Sequence, residues 1–449
     1  MSRPYPDYSV SCDERLGYLP VHWHTVALKV VCTVFPSNVD KHSHEGELPV
    51  RLCNYTDVYY NDVITAGLPF MEATATPEEI AKFTLRADDV IFTKDSETAD
   101  DIGISALVAD DIGEIVCGYH LSIARPSGPV IGGFVKRVFD SHASKGYFET
   151  RASGLTRVGL GQYAVSNLPI PLPPLAEQQA IAAFLDRETG KIDALVEEQR
   201  RLIALLKEKR QAVISHAVTK GLDPSAPMKP SGIDWLGDVP AHWEVRRLRH
   251  VSPAITVGIV VEPSKYYVEK GVPALRSLNV RPGRISTDNL VYISNDSNDE
   301  LSKSKLRAGD IVAVRTGQPG TAAVIPPELD GCNCIDLIII RGGVQISSDY
   351  LTWFLSADAA LRQFAEGSGG AIQLHFNVGT ASNLIIVLPP RAEQDRLLAF
   401  IAKEASKIDS LVEEAERAIA LLQERRAALI SAAVTGKIDV RETAGVEAA

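Results

Sequence analysis

Ser166–Thr219 reads SNLPIPLPPLAEQQAIAAFLDRETGKIDALVEEQRRLIALLKEKRQAVISHAVT, and Ser382–Thr435 reads SNLIIVLPPRAEQDRLLAFIAKEASKIDSLVEEAERAIALLQERRAALISAAVT. The two stretches lie 216 positions apart and align without a gap. Well over half of their positions are identical, the signature of an internal repeat. Pro173–Pro174 and Pro389–Pro390 block helix before each Ala-Glu-Gln triplet. A short helix is expected over 177–186 and again over 393–402. Thr189 and Ser406 are placed to cap a longer helix after each.

The longer helices carry apolar residues at helical spacing. Ile192, Leu195, Val196, Leu202, Ile203, Leu206 and Val213 line the first, and Ile408, Leu411, Val412, Ile419, Leu422 and Leu429 the second. Glu197, Arg201, Glu208 and Arg210 fill the opposite side of the first. A single helix of about 28 residues cannot bury such a stripe, but two copies in one chain can bury each other. The expected arrangement is an antiparallel intramolecular coiled coil, about 40 Å long at 1.5 Å per residue.

A second, shorter pair repeats as well: LGYLPVHW from Leu16 and LGDVPAHW from Leu236. These markers divide the chain into a first variable segment to residue 165, a first helical repeat (166–221), a linker (222–235), a second variable segment (236–381), a second helical repeat (382–437) and a tail (438–449). The connector from Gly221 to Gly232, GLDPSAPMKPSG, reads as extended. The N-terminal stretch RPYPDYSVSCDERLGYLPVHW is similar to that connector joined to the start of the second variable segment. The order is therefore cyclic, with pseudo-two-fold character and with the chain ends expected near each other. The tail, from VRETAGVEAA onward, is expected to fray.

The variable segments match poorly, yet both contain Leu-Arg-Ala-x-Asp before a strand, at Leu85 and at Leu306. A turn feeding a strand is expected over 85–95, a strand, Gly/Pro turn and strand over 306–325, further strands over 115–124 and 334–340, and helix over 349–365. The fold class is α+β: two mixed α/β domains joined by two long paired helices.

At 449 residues the chain exceeds one ordinary core, and 45% hydrophobic content is globular. No apolar run reaches the length of a membrane span, and the N-terminus shows no secretory signal, so a cytoplasmic setting is expected. Six cysteines without a C-x-x-C pair read as reduced thiols, not a zinc site. The net charge of −11 does not favour nucleic acid, but binding depends on local basic surface. Phosphate-cradling, nucleophile-elbow and H-E-x-x-H motifs are all missing. Gly367–Gly370 reads as a flexible loop. His22 and His24 beside Trp23, with His42 and His44, read as packing or turn residues, because no thiol or acidic ligand stands at suitable spacing.

The Pro-Pro-x-Ala-Glu-Gln triplets, the Lys-Ile-Asp-x-Leu-Val-Glu-Glu helices and the connector running through Met228-Lys229-Pro230-Ser231-Gly232 to Trp243 resemble the specificity subunit of type I restriction–modification enzymes. The resemblance covers essentially the whole chain. It implies two target-recognition domains, each reading one half of a split, asymmetric site in double-stranded DNA. It implies paired helices that set the spacing and dock two methyltransferase (modification) subunits, joined by restriction/translocase subunits. It implies a chain without catalysis or metal of its own, with S-adenosylmethionine, ATP and Mg bound by the partners.

Base readout uses Arg, Lys, Asn or Gln on loops. In the second segment the candidates are Arg315, Thr316 and Gln318 around Gly317, with Lys303 and Lys305 upstream and Gln373 and His375 downstream. In the first, Lys94 takes the equivalent post-strand place, and Lys136, Arg137, Lys145, Arg151 and Arg157 form a basic group suited to phosphates. Two other readings stand beside this one: a coiled-coil adaptor with two protein-binding domains, which the acidic balance favours, and a self-contained enzyme, which the missing motifs disfavour.

Overall fold

The computed structural model describes residues 4–367 and 376–441. They divide into two compact units, one from residues within 1–199 and 417–449, the other from 200–416. Each unit holds one variable head and one end of each long helix.

The first long helix is Leu175–Lys220 and the second Arg391–Val434. Each is continuous, which corrects the expected break into a short and a longer helix. Thr189 is no cap: its hydroxyl donates 2.7 Å back to the Leu185 carbonyl inside the helix. The first helix has 46 residues, so it is about 69 Å long rather than 40 Å. Glycines in the left-handed region end both, Gly221 at φ +79° and Gly436 at φ +66°.

In each unit the helix ends run antiparallel. In the first, Ala180, Ile181 and Leu185 share a core with Ile430, Ala433 and Val434, while Asp193 pairs with Arg426. In the second, Ile214, Ala217 and Val218 share a core with Leu397 and Ile401, while Arg210 pairs with Asp409. Ile192, Val196, Leu206 and Ile408 are buried, and Ile203, Val213, Val412, Ile419, Leu422 and Leu429 are half-buried. Leu195, Leu202 and Leu411 are each more than 40% exposed, so these three lie outside the seam to which their spacing assigned them.

The first head has a five-stranded sheet in the order Cys32–Pro36, Leu121–Pro126, Val90–Thr93, Ser105–Val108, Val63–Ile64, and a three-stranded sheet with Leu48–Cys53 at its centre. Val90–Thr93 is buried on both faces, which explains why it lacks polar alternation. Val90 and Phe92 pack with Phe134 and Phe139 of helix Gly132–Phe139, while Ile91 faces the other core with Ile123 and Val116. The second head repeats the plan. Ile311 and Ala313 pack with Tyr350 and Phe354 of helix Ser348–Ser356, while Val312 and Val314 face Leu275 and Leu337.

The connector is extended but tied down: Met228–Pro230 pairs with Asp238–Pro240, and Leu236 and Trp243 are buried. The N-terminal arm does the same, with Tyr8–Val10 pairing Tyr18–Pro20. The N-terminal arm meets the end of the second long helix, because the Tyr8 hydroxyl donates to the Gly436 carbonyl at 2.8 Å. The tail does not fray at once: Val440 is buried and the Arg441 guanidinium lies over the Tyr5 ring.

Candidate nucleic-acid interface

The repeated short motifs find each other. Glu177 of the first Ala-Glu-Gln triplet accepts from Tyr5 Oη and Trp23 Nε1, both at 3.0 Å, and lies 2.8 Å from His22 Nε2. Glu393 of the second accepts from Trp243 Nε1 at 3.0 Å and lies 2.8 Å from His242 Nε2. Gln178 and Gln394 clamp the Pro-Pro turns. Each donates to the first proline carbonyl and accepts a backbone N–H from its own head, from Ile131 and from Ser347. His22 and His242 therefore serve the carboxylate that fixes head to helix.

The Leu-Arg-Ala-x-Asp element is a lock beneath the candidate surface. Asp89 is fully buried, accepts from the Arg86 N–H at 2.9 Å and takes both Arg125 Nε and Nη2 at 2.7 Å. Asp310 accepts from the Arg307 N–H at 2.7 Å and pairs with Arg341. A buried carboxylate needs such a charged partner and a full set of hydrogen bonds. In both heads the next strand is thereby fixed, and it delivers Lys94 or Arg315 to a loop cluster at its end.

In the first head the Lys94 ammonium donates 2.8 Å to the Ser37 carbonyl and sits 4.5 Å from the Tyr119 ring centre. Burial pushes its pKa down, while Asp95 pushes it up by less. Asp95 lies 2.9 Å from His120 Nδ1 and 3.1 Å from Arg157 Nη2. A cleft beside them is lined by Lys41, His42, Asn54, Tyr55, Tyr119 and His120, and Tyr119 is half-exposed. Side chains of this kind can meet base edges. Lys145, Arg151 and Arg157 are exposed, and Arg151 lies 3.7 Å over the Tyr147 ring.

Lys136 and Arg137 are not available to phosphate. Both are buried in ion pairs with Asp62, Asp140 and Asp186, because their helix faces the long helices. This removes them from the basic group expected in the first head.

In the second head Arg315 pairs with Asp336, whose backbone is left-handed at φ +51°. Thr316 is half-buried and Gln318 exposed on the loop after the strand. Gly320 in that loop has φ +88°, and a Cβ there would meet the Phe364 ring at 2.2 Å, so only glycine fits. Lys303 is exposed, and Lys305 is half-buried and paired with Asp299 at 3.1 Å. The Lys305 carbonyl accepts from Arg341 at 2.9 Å, which ties this turn to the Asp310 lock. Gln373 and His375 lie outside the described residues.

A further equivalence locates residues that sequence reasoning missed. The parallel bridges Val39–Gly118 and Ile259–Ile335 occupy the same place in the two heads. Past them stand Lys41, His42, Tyr119 and His120 in one head, and Val260, Val261, Lys265 and Asp336 in the other. Val260 and Val261 are among the most exposed aliphatic residues of the second head. Val39 and Ile259 lie at the same distance from their LGxxPxHW markers, and that spacing is the signal that could have found these residues.

Residues 20–203 match the family model described as the type I restriction modification DNA specificity domain. The chain is 24% identical over 320 residues to the type I restriction enzyme EcoBI specificity subunit of Escherichia coli, covering 68% of this chain and 66% of that one. It is 23% identical over 438 residues to the putative type I restriction enzyme MjaX specificity subunit of Methanocaldococcus jannaschii, covering 95% and 96%. Among solved structures it superposes on a chain from work on complex assembly and conformational transition of a type I R-M system, with TM-score 0.69, 19% identity and coverage of 94% and 99%. It also superposes on the HsdS subunit of Thermoanaerobacter tengcongensis, with TM-score 0.50, 18% identity and coverage of 94% and 98%. No helix among the described residues is long and apolar enough to cross a membrane.

Proposed function

We infer that this chain, a type I restriction–modification specificity subunit, recognises DNA with its two heads, each reading one half of a bipartite, asymmetric site. The supporting observation is a shared lock under different loops. Asp89–Arg125 and Asp310–Arg341 hold equivalent strands, while the residues above them differ, from Lys94, Tyr119 and His120 to Arg315, Val260 and Val261. A common scaffold carrying two chemistries at one position is what two different half-sites require. The matched DNA specificity domain speaks against the adaptor reading.

In this reading Lys94, Arg315, Thr316 and Gln318 face bases, with Gln373 and His375 kept as candidates, and Lys145, Arg151, Arg157, Lys303 and Lys305 face phosphates. The long helices set the unread gap and dock two methyltransferase subunits, with restriction/translocase subunits joining that core. The half-exposed Leu195, Leu202 and Leu411 suit such docking. The chain works in the cytoplasm without catalysis or metal of its own, and S-adenosylmethionine, ATP and Mg belong to the partners.

The test is duplex retention by the chain mixed with its methyltransferase subunits, followed by mapping of methylated adenines with and without the chain. Retention that falls steeply with salt, together with a split methylated sequence that disappears without the chain, is the expected result. Methylation unchanged in its absence overturns it.

A further inference from the structure

Beyond the glutamate and glutamine contacts that both heads share, each head meets the helices through chemistry of its own. In the first compact unit the Asp62 carboxylate, just before strand Val63–Ile64, takes Lys136 Nζ at 2.9 Å on one oxygen and Arg426 Nη2 at 2.6 Å on the other. Arg426 also donates to Asp193 at 3.0 Å. Lys136 and Arg137 both reach Asp140, and Arg137 donates to Asp186 at 2.7 Å and lies 3.4 Å from Asp62. The connections close a ring. They leave the first long helix at Asp193, cross Arg426 of the second and Asp62 and Arg137 of the head, and return to the first helix at Asp186.

The same places are readable in the second compact unit. Ile131 and Ser347 donate to equivalent glutamines, and the His142 and Asp358 N–H groups donate to Ser431 and Ser215. In each case the second-head residue lies 216 positions after its counterpart. Lys136, Arg137 and Asp140 therefore correspond to Thr352, Trp353 and Ser356. These three line a largely apolar cleft with Pro282, Gly283 and Arg210. Arg210 keeps its pair with Asp409 and lies 5.6 Å over the Trp353 ring, and Gln211 beside it donates to the Ser356 carbonyl and to the Asp358 carboxylate, both at 2.8 Å, but among the described residues no carboxylate of the second head pairs with Arg210 as Asp62 does with Arg426.

We propose that Asp62 is a positioning residue, which holds the first head on the helices in the orientation needed to read its half-site, through a ring of charge that the second head replaces with an arginine–tryptophan contact. The proposal rests on the DNA-reading function above. A closed ring of alternating charges fixes direction as well as distance, because each carboxylate takes donors from defined directions. An arginine on a tryptophan face tolerates sliding and is less sensitive to salt. The two halves of the site are therefore read with unequal dependence on charge.

The experiment uses the full chain with its methyltransferase subunits on duplexes carrying one wrong base in either half of the mapped site. Asp62→Asn is expected to raise methylation of duplexes mismatched in one half by about two- to thirtyfold relative to the cognate duplex, the range carried through packed networks. The other half keeps its discrimination. The loss grows between about 50 and 200 mM salt as the remaining pairs are screened, and Asp62→Glu restores most of it. Arg426→Gln, which leaves Lys136 on Asp62, gives the same one-sided loss should Asp62→Asn fold poorly. Equal loss in both halves, or lowered thermal stability with discrimination intact, overturns the proposal. A wild-type complex with no sequence preference at all sinks the underlying function instead.

Discussion

Arg426 donates to Asp193 at 3.0 Å, and Arg210 donates to Asp409 at 2.8 Å. Asp409 follows Asp193 by 216 positions, and Arg426 follows Arg210 by the same number. The two pairs are one interaction with the roles of the helices exchanged. The register of an antiparallel pairing is thus specified twice by a single duplicated Asp and Arg. Exposed pairs of this kind contribute little stability, about 0–1 kcal/mol. Their value lies in specifying register.

The Glu177 carboxylate accepts from two buried donors, Tyr5 and Trp23. Burial and the neighbouring carboxylate push the Tyr5 phenol far up, so it stays a donor throughout the folded range. Glu177→Ala leaves both donors unsatisfied and is expected to cost about 2–3 kcal/mol. That corresponds to about 4–12 °C in the melting of the first unit. Glu393→Ala, which releases one tryptophan and a histidine, should cost less. Scanning calorimetry of the full chain checks this, and equal losses would contradict it.

Burial raises the pKa of Asp62, but Lys136, Arg426 and Arg137 outweigh it and hold the carboxyl well below its ordinary range. Its folded value is thus depressed relative to the unfolded chain. The stability it contributes is full above about pH 4 and is lost as pH falls toward the folded value. Asp62→Asn should flatten the acid limb of the stability curve of the first unit. Urea melts from about pH 6 to pH 3, with a probe in each unit, would detect it. An unchanged acid limb would show that the carboxylate is not coupled to folding.

The basic residues of the first head should separate by experiment. Lys145→Ala and Arg151→Ala are expected to weaken DNA binding for all sequences and to lower the salt slope by about 1 each. Lys136→Ala should lower stability and leave the salt slope unchanged. In the second head, Arg315→Ala should relax discrimination by about 1–3 kcal/mol at a single base pair. Titrations on cognate and scrambled duplexes at several salt concentrations distinguish these outcomes.

The N-terminal arm packs at the end of the second long helix as the connector packs at the end of the first. Tyr8 reaches Gly436, and Gly436 and Gly221 lie against Trp23 and Trp243. Opening the chain at Ser225 and joining the old ends is expected to leave folding and half-site recognition intact. Methylation of the mapped site by the permuted chain tests this, and an insoluble or non-recognising product would contradict it.

The repeats, the antiparallel pairing and the shared Leu-Arg-Ala-x-Asp element were legible because duplication prints them twice. The continuous helix was not. Thr189 beside Gly190 looks like a boundary, yet one glycine costs only about 1 kcal/mol, and burial of Ile181, Leu185 and Ile192 on either side exceeds it. Leu195, Leu202 and Leu411 were misplaced because helical spacing marks a broad stripe, while burial picks out a narrower set, Ile192 and Val196 on the first helix and Ile408 and the small Ala415 on the second. Lys136 and Arg137 read as surface because charge is normally solvated. The clue was available in the duplicate, where Trp353 stands 216 positions after Arg137. The partners of Asp89 and Asp310 were out of reach, since Arg125 and Arg341 come from strands distant in sequence.

The buried Asp–Arg locks have an evolutionary consequence. Because Asp89–Arg125 and Asp310–Arg341 secure each sheet beneath its outer loops, those loops can drift or be exchanged by recombination without disturbing the core. A lineage carrying this chain can change what its heads recognise by altering a few surface residues, while the buried locks beneath them stay the same.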